Sequence, residues 1–283
     1  MQFMILRKAD ASTEAGVLPD EALLAAMGAY NEELAKAGMM RAGEGLHPSS
    51  KGARIRFSGG KPTVTDGPFT EAKELIAGFT MIEVRSKEEA IEWVRRWPAI
   101  DASGEVALEI REAGCPGGLR GVSPSEQSEN PAPGLLQFMV MLKANEKLEA
   151  GVSPGEKHLA IMARHNEEGV KAGVMTLAEG LKPSARGARV KFSGGKPTVI
   201  DGPFTEAKEL LAGFWMIQVK SRQEAIDWAL HYPYAFGEEA EIEIRQVYQA
   251  SDFGEAFTPE LRQAEARMRA HLLESGKPAS DGA

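Results

Sequence analysis

Only one cysteine, Cys115, occurs among 283 residues, which excludes an internal disulfide framework and every multi-cysteine metal site. Basic charge is also scarce: 33 Lys+Arg face 41 Asp+Glu, a formal net charge of −8. Such a chain lacks the basic footprint that a phosphate backbone demands, so nucleic acid is not an expected partner. No Gly-x-Gly-x-x-Gly, Walker-type Gly-Lys-Ser/Thr or paired His-x-x-x-His is present, and the reading calls for no cofactor and no metal. The segment Met1–Lys8 carries a four-residue apolar run, shorter than the 7–15 or so residues of a signal peptide. A cytoplasmic protein without a membrane partner is therefore expected. What remains is ordinary globular composition, 43% apolar and 26% charged, at a length that suggests about two domains.

Those two domains are copies. A shift of 135 positions lays Gln2-Phe3-Met4 on Gln137-Phe138-Met139 and runs without a gap to Trp97-Pro98 on Tyr232-Pro233. Between Phe57–Phe79 and Phe192–Phe214, only Thr65/Ile200 and Ile76/Leu211 differ among 23 positions. A period this long is a duplicated domain, since solenoid units repeat every 20–50 residues or so. The expected organisation is a first copy over 1–112, a flexible Gly/Pro/Ser-rich linker over 113–135 containing an exposed Cys115, a second copy over 136–249, and a helical extension over 250–283.

Each copy reads as strand, helix, strands, helix, strand. Leu23, Met27, Tyr30 and Leu34 recur at helical spacing within 20–36, and Gly38 follows as a stop. Residues 53–57 and 63–65 flank Ser58-Gly59-Gly60-Lys61, a hairpin signal. Residues 71–75 read as a helical turn and 78–84 as a strand. Ser86 and Glu89 form a capping box before Ala90, Ile91, Val94 and Trp97. Residues 106–110 close the unit as a strand. This order fits an antiparallel sheet with two helices on one face, a ferredoxin-like α+β sandwich. Its bare face is then covered by the sheet of the other copy, an intrachain pseudo-dimer. In the extension, Thr258-Pro259-Glu260 starts a helix whose Leu261, Met268 and Leu272 suit docking on apolar surface.

The nine residues Asp66-Gly67-Pro68-Phe69-Thr70-Glu71-Ala72-Lys73-Glu74 recur unchanged as Asp201–Glu209. Together with Glu44-Gly45-Leu46-x-Pro48 and Ala90-Ile91-Glu92-Trp93, they resemble the DGPF branch of the YCII-related (YciI-like) family. The resemblance covers roughly 1–112 and 136–249, and the tail from Asp252 to Leu261 is similar to one seen in that branch. It implies a dimeric α+β barrel, here formed within one chain, around a pocket between the two sheets. It also implies lyase-like acid/base chemistry at a His–Asp pair, and an association with extracytoplasmic-function sigma factors.

For catalysis the candidates are Asp66, Asp201 and His165. An aspartate before Gly-Pro either caps its own turn or serves as an acid/base at a pocket mouth. None of the five histidines has a histidine partner in the other copy: His165 faces Tyr30 and His47 faces Lys182. A His165–Asp201 pair would therefore operate in the second copy only. Charged residues present in both copies include Glu44/Glu179, Arg54/Arg189, Lys61/Lys196, Glu71/Glu206, Lys73/Lys208 and Glu74/Glu209. Of these, Arg54, Arg189, Glu44 and Glu179 are the substrate-binding candidates, the arginines through bidentate bonds to an anion.

The sequence thus reads as a protein that binds, and by acid/base chemistry transforms, a small polar or anionic metabolite between its two domains. The alternative is a non-catalytic regulatory accessory with a protein partner in transcription. Whether the chain is a monomer or pairs again as a homodimer stays open at this level.

Overall fold

In β1 (Gln2–Lys8), Phe3 and Ile5 point to one face and Met4 and Leu6 to the other, because successive side chains of a strand alternate. All four are buried, so the strand needs cover on both sides. The computed structural model describes residues 1–59, 61–70, 74–115, 118, 119, 121, 122, 131–233 and 239–275. It supplies the cover as four layers, helices on sheet on sheet on helices.

The first copy continues through α1 (Ala11–Glu14), α2 (Glu21–Lys36), β2 (Met40–Gly45), β3 (Ala53–Ser58), β4 (Lys61–Asp66), β5 (Ile76–Glu83), α3 (Lys87–Val94) and β6 (Ala107–Glu112). The second runs through β7 (Leu136–Lys143), α4 (Glu146–Glu149), α5 (Glu156–Lys171), β8 (Met175–Gly180), β9 (Ala188–Ser193), β10 (Lys196–Asp201), β11 (Leu211–Val219), α6 (Arg222–Leu230) and β12 (Ala240–Gln246), followed by α7 (Pro259–Ser275). The central orders β6-β1-β5-β2 and β12-β7-β11-β8 are those of a ferredoxin-like sandwich, and every pair is antiparallel.

The two hairpins do not stay at home. β3–β4 joins the second copy's sheet through β12, and β9–β10 joins the first copy's sheet through β6, making each sheet six-stranded. The outer core of each sheet is correspondingly mixed. Ala188, Val190 and Phe192 pack with Phe3 and Leu108, while Ala53, Ile55 and Phe57 pack with Phe138 and Ile242.

Between the sheets lie Met4, Leu6, Phe79 and Met81 from one side and Met139, Met141, Phe214 and Met216 from the other. Phe79 and Phe214 meet with centroids 5.6 Å apart. This layer occupies the space where the sequence reading places an inter-domain pocket. Nor do the described strands close into the expected barrel. Each sheet keeps its own edges, β10 and β2 or β4 and β8, and among the described residues the isolated bridges Leu46–Val247 and Ala113–Leu181 join them at the corners. Sheets held apart by facing methionines and phenylalanines stack face to face, and the exchanged hairpins widen each sheet without closing it.

Local expectations hold at most places. Asp20 caps α2 by accepting from the Leu23 N–H, and Ser86 accepts from the Glu89 N–H. The Glu89 carboxylate returns to the Arg85 N–H, one residue earlier than a capping box would place it. Met268 and Leu272 of α7 pack on the first copy's outer core as expected. The edge strands β2 and β8 are additions to the expected layout. Glu71 and Lys73 lie outside the described residues, and the matching segment of the second copy forms a 3-10 turn at Ala207–Glu209. In the linker, Val122 bridges Ala178 at the outer edge of β8. Cys115 is half-buried against Gly180 rather than exposed. No helix among the described residues is long and apolar enough to cross a membrane.

Candidate functional site

The exchanged hairpins bring charges together in the buried layer. Arg54 on β3 stands opposite Glu243 on β12 and donates to it from Nε at 3.0 Å and Nη2 at 2.9 Å. Arg245 pairs with Glu243 at 3.2 Å and with Glu14 of the other copy at 3.0 Å. Lys143 reaches Glu243 at 3.2 Å, and Arg54 also holds Glu74 at 3.1 Å. The second ring repeats the first. Arg189 pairs with Glu109 and Glu209, and Arg111 with Glu109 and Glu149. Both predicted binding arginines are thus occupied by the protein's own carboxylates.

The repeated nine-residue motif seats these rings. A Cβ on Gly67 or Gly202 would overlap the carbonyl oxygen of Ser49 or Ser184, so only glycine fits. The next peptides, Gly67–Pro68 and Gly202–Pro203, are cis. The Phe69 and Phe204 N–H groups then donate to the Ser49 and Ser184 hydroxyls at 3.1 and 3.0 Å. Their rings cover the Arg54 and Arg189 guanidiniums, 4.2 and 4.1 Å from the centroids. His47 and Lys182 occupy matching positions in which only the backbone is shared: both carbonyls accept from an arginine, Arg245 or Arg111. Their side chains take different partners, His47 meeting Asp252 at 3.1 Å and Lys182 pairing with Glu112 at 2.6 Å.

Asp66 and Asp201 lie at the ends of the hairpins, with side chains 73% and 69% exposed. Asp66 pairs with Arg222 at the start of α6, and Asp201 with Lys87 at the start of α3, 2.8 Å away. Each therefore ties a hairpin to a helix of the other copy. His165 belongs to α5, where its ring stacks on Trp228 with centroids 4.9 Å apart. Its Nε2 is buried without a hydrogen-bond partner, and burial holds its pKa below the ordinary histidine value. No described hydrogen bond or ion pair joins His165 to Asp201. Exposed ion pairs contribute about 0–1 kcal/mol. Asp66→Asn and Asp201→Asn are accordingly each expected to lower the unfolding free energy by less than about 1 kcal/mol in a denaturant titration.

Open volume lies elsewhere. A half-open cavity of about 1410 Å³ sits in the first copy, among α2, the β2 and β5 strands and α7. Its matching region in the second copy is a cavity of about 100 Å³. Two predicted residues take part. Glu44 lines the large cavity and is clamped by Arg269 of α7 at 2.9 and 3.1 Å. Glu179 lines the small one, where burial raises its pKa and Gly180 N–H is its hydrogen-bond donor.

The difference in volume has a residue-level cause. On β11, Trp215 sits under α5 and donates its indole N–H to Asn166 Oδ1 at 3.0 Å. The same position on β5 is Thr80, and the matching asparagine, Asn31, has a buried Oδ1 with no hydrogen-bond partner. Thr80 and Asn31 both line the large cavity. In the first copy alone, Arg7 is fixed by Asp101 at 2.7 Å and by Asp10 at 2.8 Å, and Asp101 also accepts from Trp97 Nε1 at 2.8 Å. Burial pushes the Asp10 carboxyl up, but the Thr13 N–H and Arg7 reverse this and hold it below the ordinary range. The second copy has Leu142 where Arg7 stands, and the linker residues Cys115, Leu119 and Gly121 fill its rim.

What the two copies share does not reveal these residues. The signal for the cavity is the reverse, Thr80 against Trp215 and Arg7 against Leu142 within otherwise matched strands. The signal for the charge rings is Glu109/Arg111 and Glu243/Arg245 alternating with isoleucine in the last strand of each copy.

Comparison with known proteins agrees with the duplicated architecture. The family model described as the YCII-related domain matches residues 1–113 and again 136–251. An uncharacterized protein of Rhizobium meliloti (strain 1021) is 36% identical over 78 residues, which cover 28% of this chain and 63% of that protein. The matched segment therefore spans less than two thirds of that relative. With the family model matching both halves of the chain, this protein belongs to the YCII-related family and carries its domain twice.

Proposed function

We propose that this YCII-related protein binds a small polar metabolite in the first copy's cavity, and that the second copy serves as its structural counterpart. The observation that carries this is the difference in volume between the two matched regions, about 1410 Å³ against about 100 Å³. In the second copy Trp215 fills the space under α5 and bonds Asn166, whereas the first copy has Thr80 at that position and keeps an open cavity walled by Arg7, Asp10, Glu44 and Arg269. Pockets with a few convergent polar groups in an apolar wall are the usual form of small-molecule sites.

The wall also bears on charge. Seven carboxylates (Asp10, Asp20, Glu32, Glu44, Asp101, Glu105 and Glu265) face three guanidiniums (Arg7, Arg262 and Arg269). This balance suits a neutral or cationic ligand better than an anionic one. Acid/base chemistry, where it occurs, would draw on Asp10, Asp101 or Glu44, which stand at this wall.

Thr80→Trp tests the reading by giving the first copy the second copy's plug. The variant is expected to fold and to lose small-molecule binding in the cavity. A crystallographic fragment soak reads this directly. Fragments seated between α2 and β5 in the wild type should be absent from the variant. An unchanged pattern of bound fragments in a folded variant would refute the proposal.

A further inference from the structure

After its last strand, each copy sends the chain onto the edge strand of the other copy, and the two segments begin alike. Gly114 N–H donates to the Gly180 carbonyl at the end of β8 at 2.8 Å, and Tyr248 N–H donates to the Gly45 carbonyl at the end of β2 at 3.0 Å. Then they part. The linker meets β8 a second time, where Val122 exchanges both backbone bonds with Ala178, at 2.8 and 2.9 Å, as an antiparallel pair. The C-terminal segment turns instead into the 3-10 helix Ala250–Ala256 and α7. The residue matching Ala178 is Gly43, which stands opposite Thr80 on β5 as Ala178 stands opposite Trp215 on β11. Backbone bonds alternate between the two sides of a strand, so the Gly43 N–H and C=O aim outward from β2 as those of Ala178 aim outward from β8. Among the described residues none bonds to them. Gly43 lines the large cavity and is half-buried. A glycine has only main chain to expose, so the surface it presents there is the backbone itself.

From this geometry we infer that the first copy's cavity takes a short extended peptide, which pairs with the outer edge of β2 at Gly43 as Val122 pairs with Ala178. The inference rests on the reading of this cavity as a binding site and names the class of ligand. Strand addition draws its affinity from main-chain bonds, and an open N–H and C=O at a sheet edge are its receptor. A peptide residue supplies the matching donor and acceptor together. The volume, about 1410 Å³, is above the range of about 300–1,000 Å³ usual for small-molecule pockets, which leaves room for several residues. The charge of the wall sets the composition. Its guanidiniums Arg7 and Arg269 are bound by Asp101 and Glu44, while Asp20 and Glu32 are exposed along α2. A neutral or basic peptide therefore suits it better than an acidic one.

The experiment is a calorimetric titration of the full chain with acetyl-Leu-Arg-Gly-Val-amide, the sequence of residues 119–122. The control is the same peptide methylated on the valine nitrogen, which removes the donor that Val122 uses toward Ala178. The unmodified peptide is expected to bind the wild type roughly tenfold or more tightly than the methylated one. Gly43→Pro removes the outward N–H at an edge strand, where proline is tolerated, and should weaken the unmodified peptide by a similar factor. Amide NMR of the wild type gives a reading that needs no variant: the Gly43 N–H signal should shift and exchange more slowly once the peptide is bound. Equal affinity of the two peptides, or binding that leaves the Gly43 amide unchanged, would overturn the strand addition. Absence of peptide binding, with fragments still seated in the wild-type cavity in the soak, would overturn the ligand class alone. Absence of both would remove the binding-site reading as well.

Discussion

Cut out of the chain, residues 1–113 are expected to form no stable folded monomer and to appear as a hairpin-exchanged homodimer. The reason lies in what the fragment would expose. Met4, Leu6, Leu46, Phe79 and Met81 face the second copy and are buried in the intact chain. Each large apolar side chain is worth about 1.5–3 kcal/mol on burial, so the set is worth on the order of 10 kcal/mol, as much as the whole net stability of an ordinary domain. The edge of β6 would also lose β9, and β3 would lose β12, leaving open ladders that invite pairing. A second copy of the fragment can repair all of this, because the complementary charges recur: Arg54 would meet Glu109, and Glu14 would meet Arg111, as their counterparts do across the copies. Light scattering coupled to size exclusion reads the outcome. A cooperatively folding monomer at micromolar concentration would contradict the expected interdependence of the halves.

This interdependence marks the limit of what the sequence discloses. Periodicity places α2, α3 and α7, and the Gly-Gly turn places the hairpin Ala53–Asp66. These signals are local, set by side-chain spacing and turn chemistry. The sheet that the hairpin joins is decided by contacts such as Arg54 with Glu243, 189 positions apart in the chain, for which no local pattern exists. The same gap explains the site. Residues repeated in both copies drew attention to Asp66, Asp201, Arg54 and Arg189, and they turn out to hold the two copies together. Duplication preserves interface chemistry because each ring draws residues from both copies, so a change in one copy disrupts a shared assembly. The cavity has no such constraint. Thr80 and Trp215 lie outside those rings, Trp215 bonding Asn166 within its own copy and Thr80 lining the large cavity.

Removing the charge of Glu243 is expected to cost about 3–5 kcal/mol of stability, the usual loss when one member of a buried ion cluster is deleted. Glu243 is fully enclosed, with its side chain 1% exposed. Burial alone would raise its pKa, yet Lys143, Arg245 and Arg54 together bring it down to about 2. In the unfolded chain an ordinary glutamate titrates near 4.5. A depressed folded-state pKa contributes stability that is present above the unfolded value and is lost as pH falls through the folded one. The window therefore runs from about pH 4.5 down to about pH 2, and the contribution is about 3 kcal/mol at neutral pH. Glu243→Gln keeps the shape and removes the charge, leaving three cations around a neutral amide. Denaturant titrations of wild type and variant between pH 7 and pH 3 separate the two effects. The variant should be less stable at pH 7, and the difference should shrink as the wild type loses its carboxylate stabilisation in acid. A gap that stays constant across this range would assign the loss to packing instead of charge. Arg111→Met, which strips the guanidinium from Glu109 and Glu149 in the other ring, should produce a loss of similar size, because each ring joins both copies.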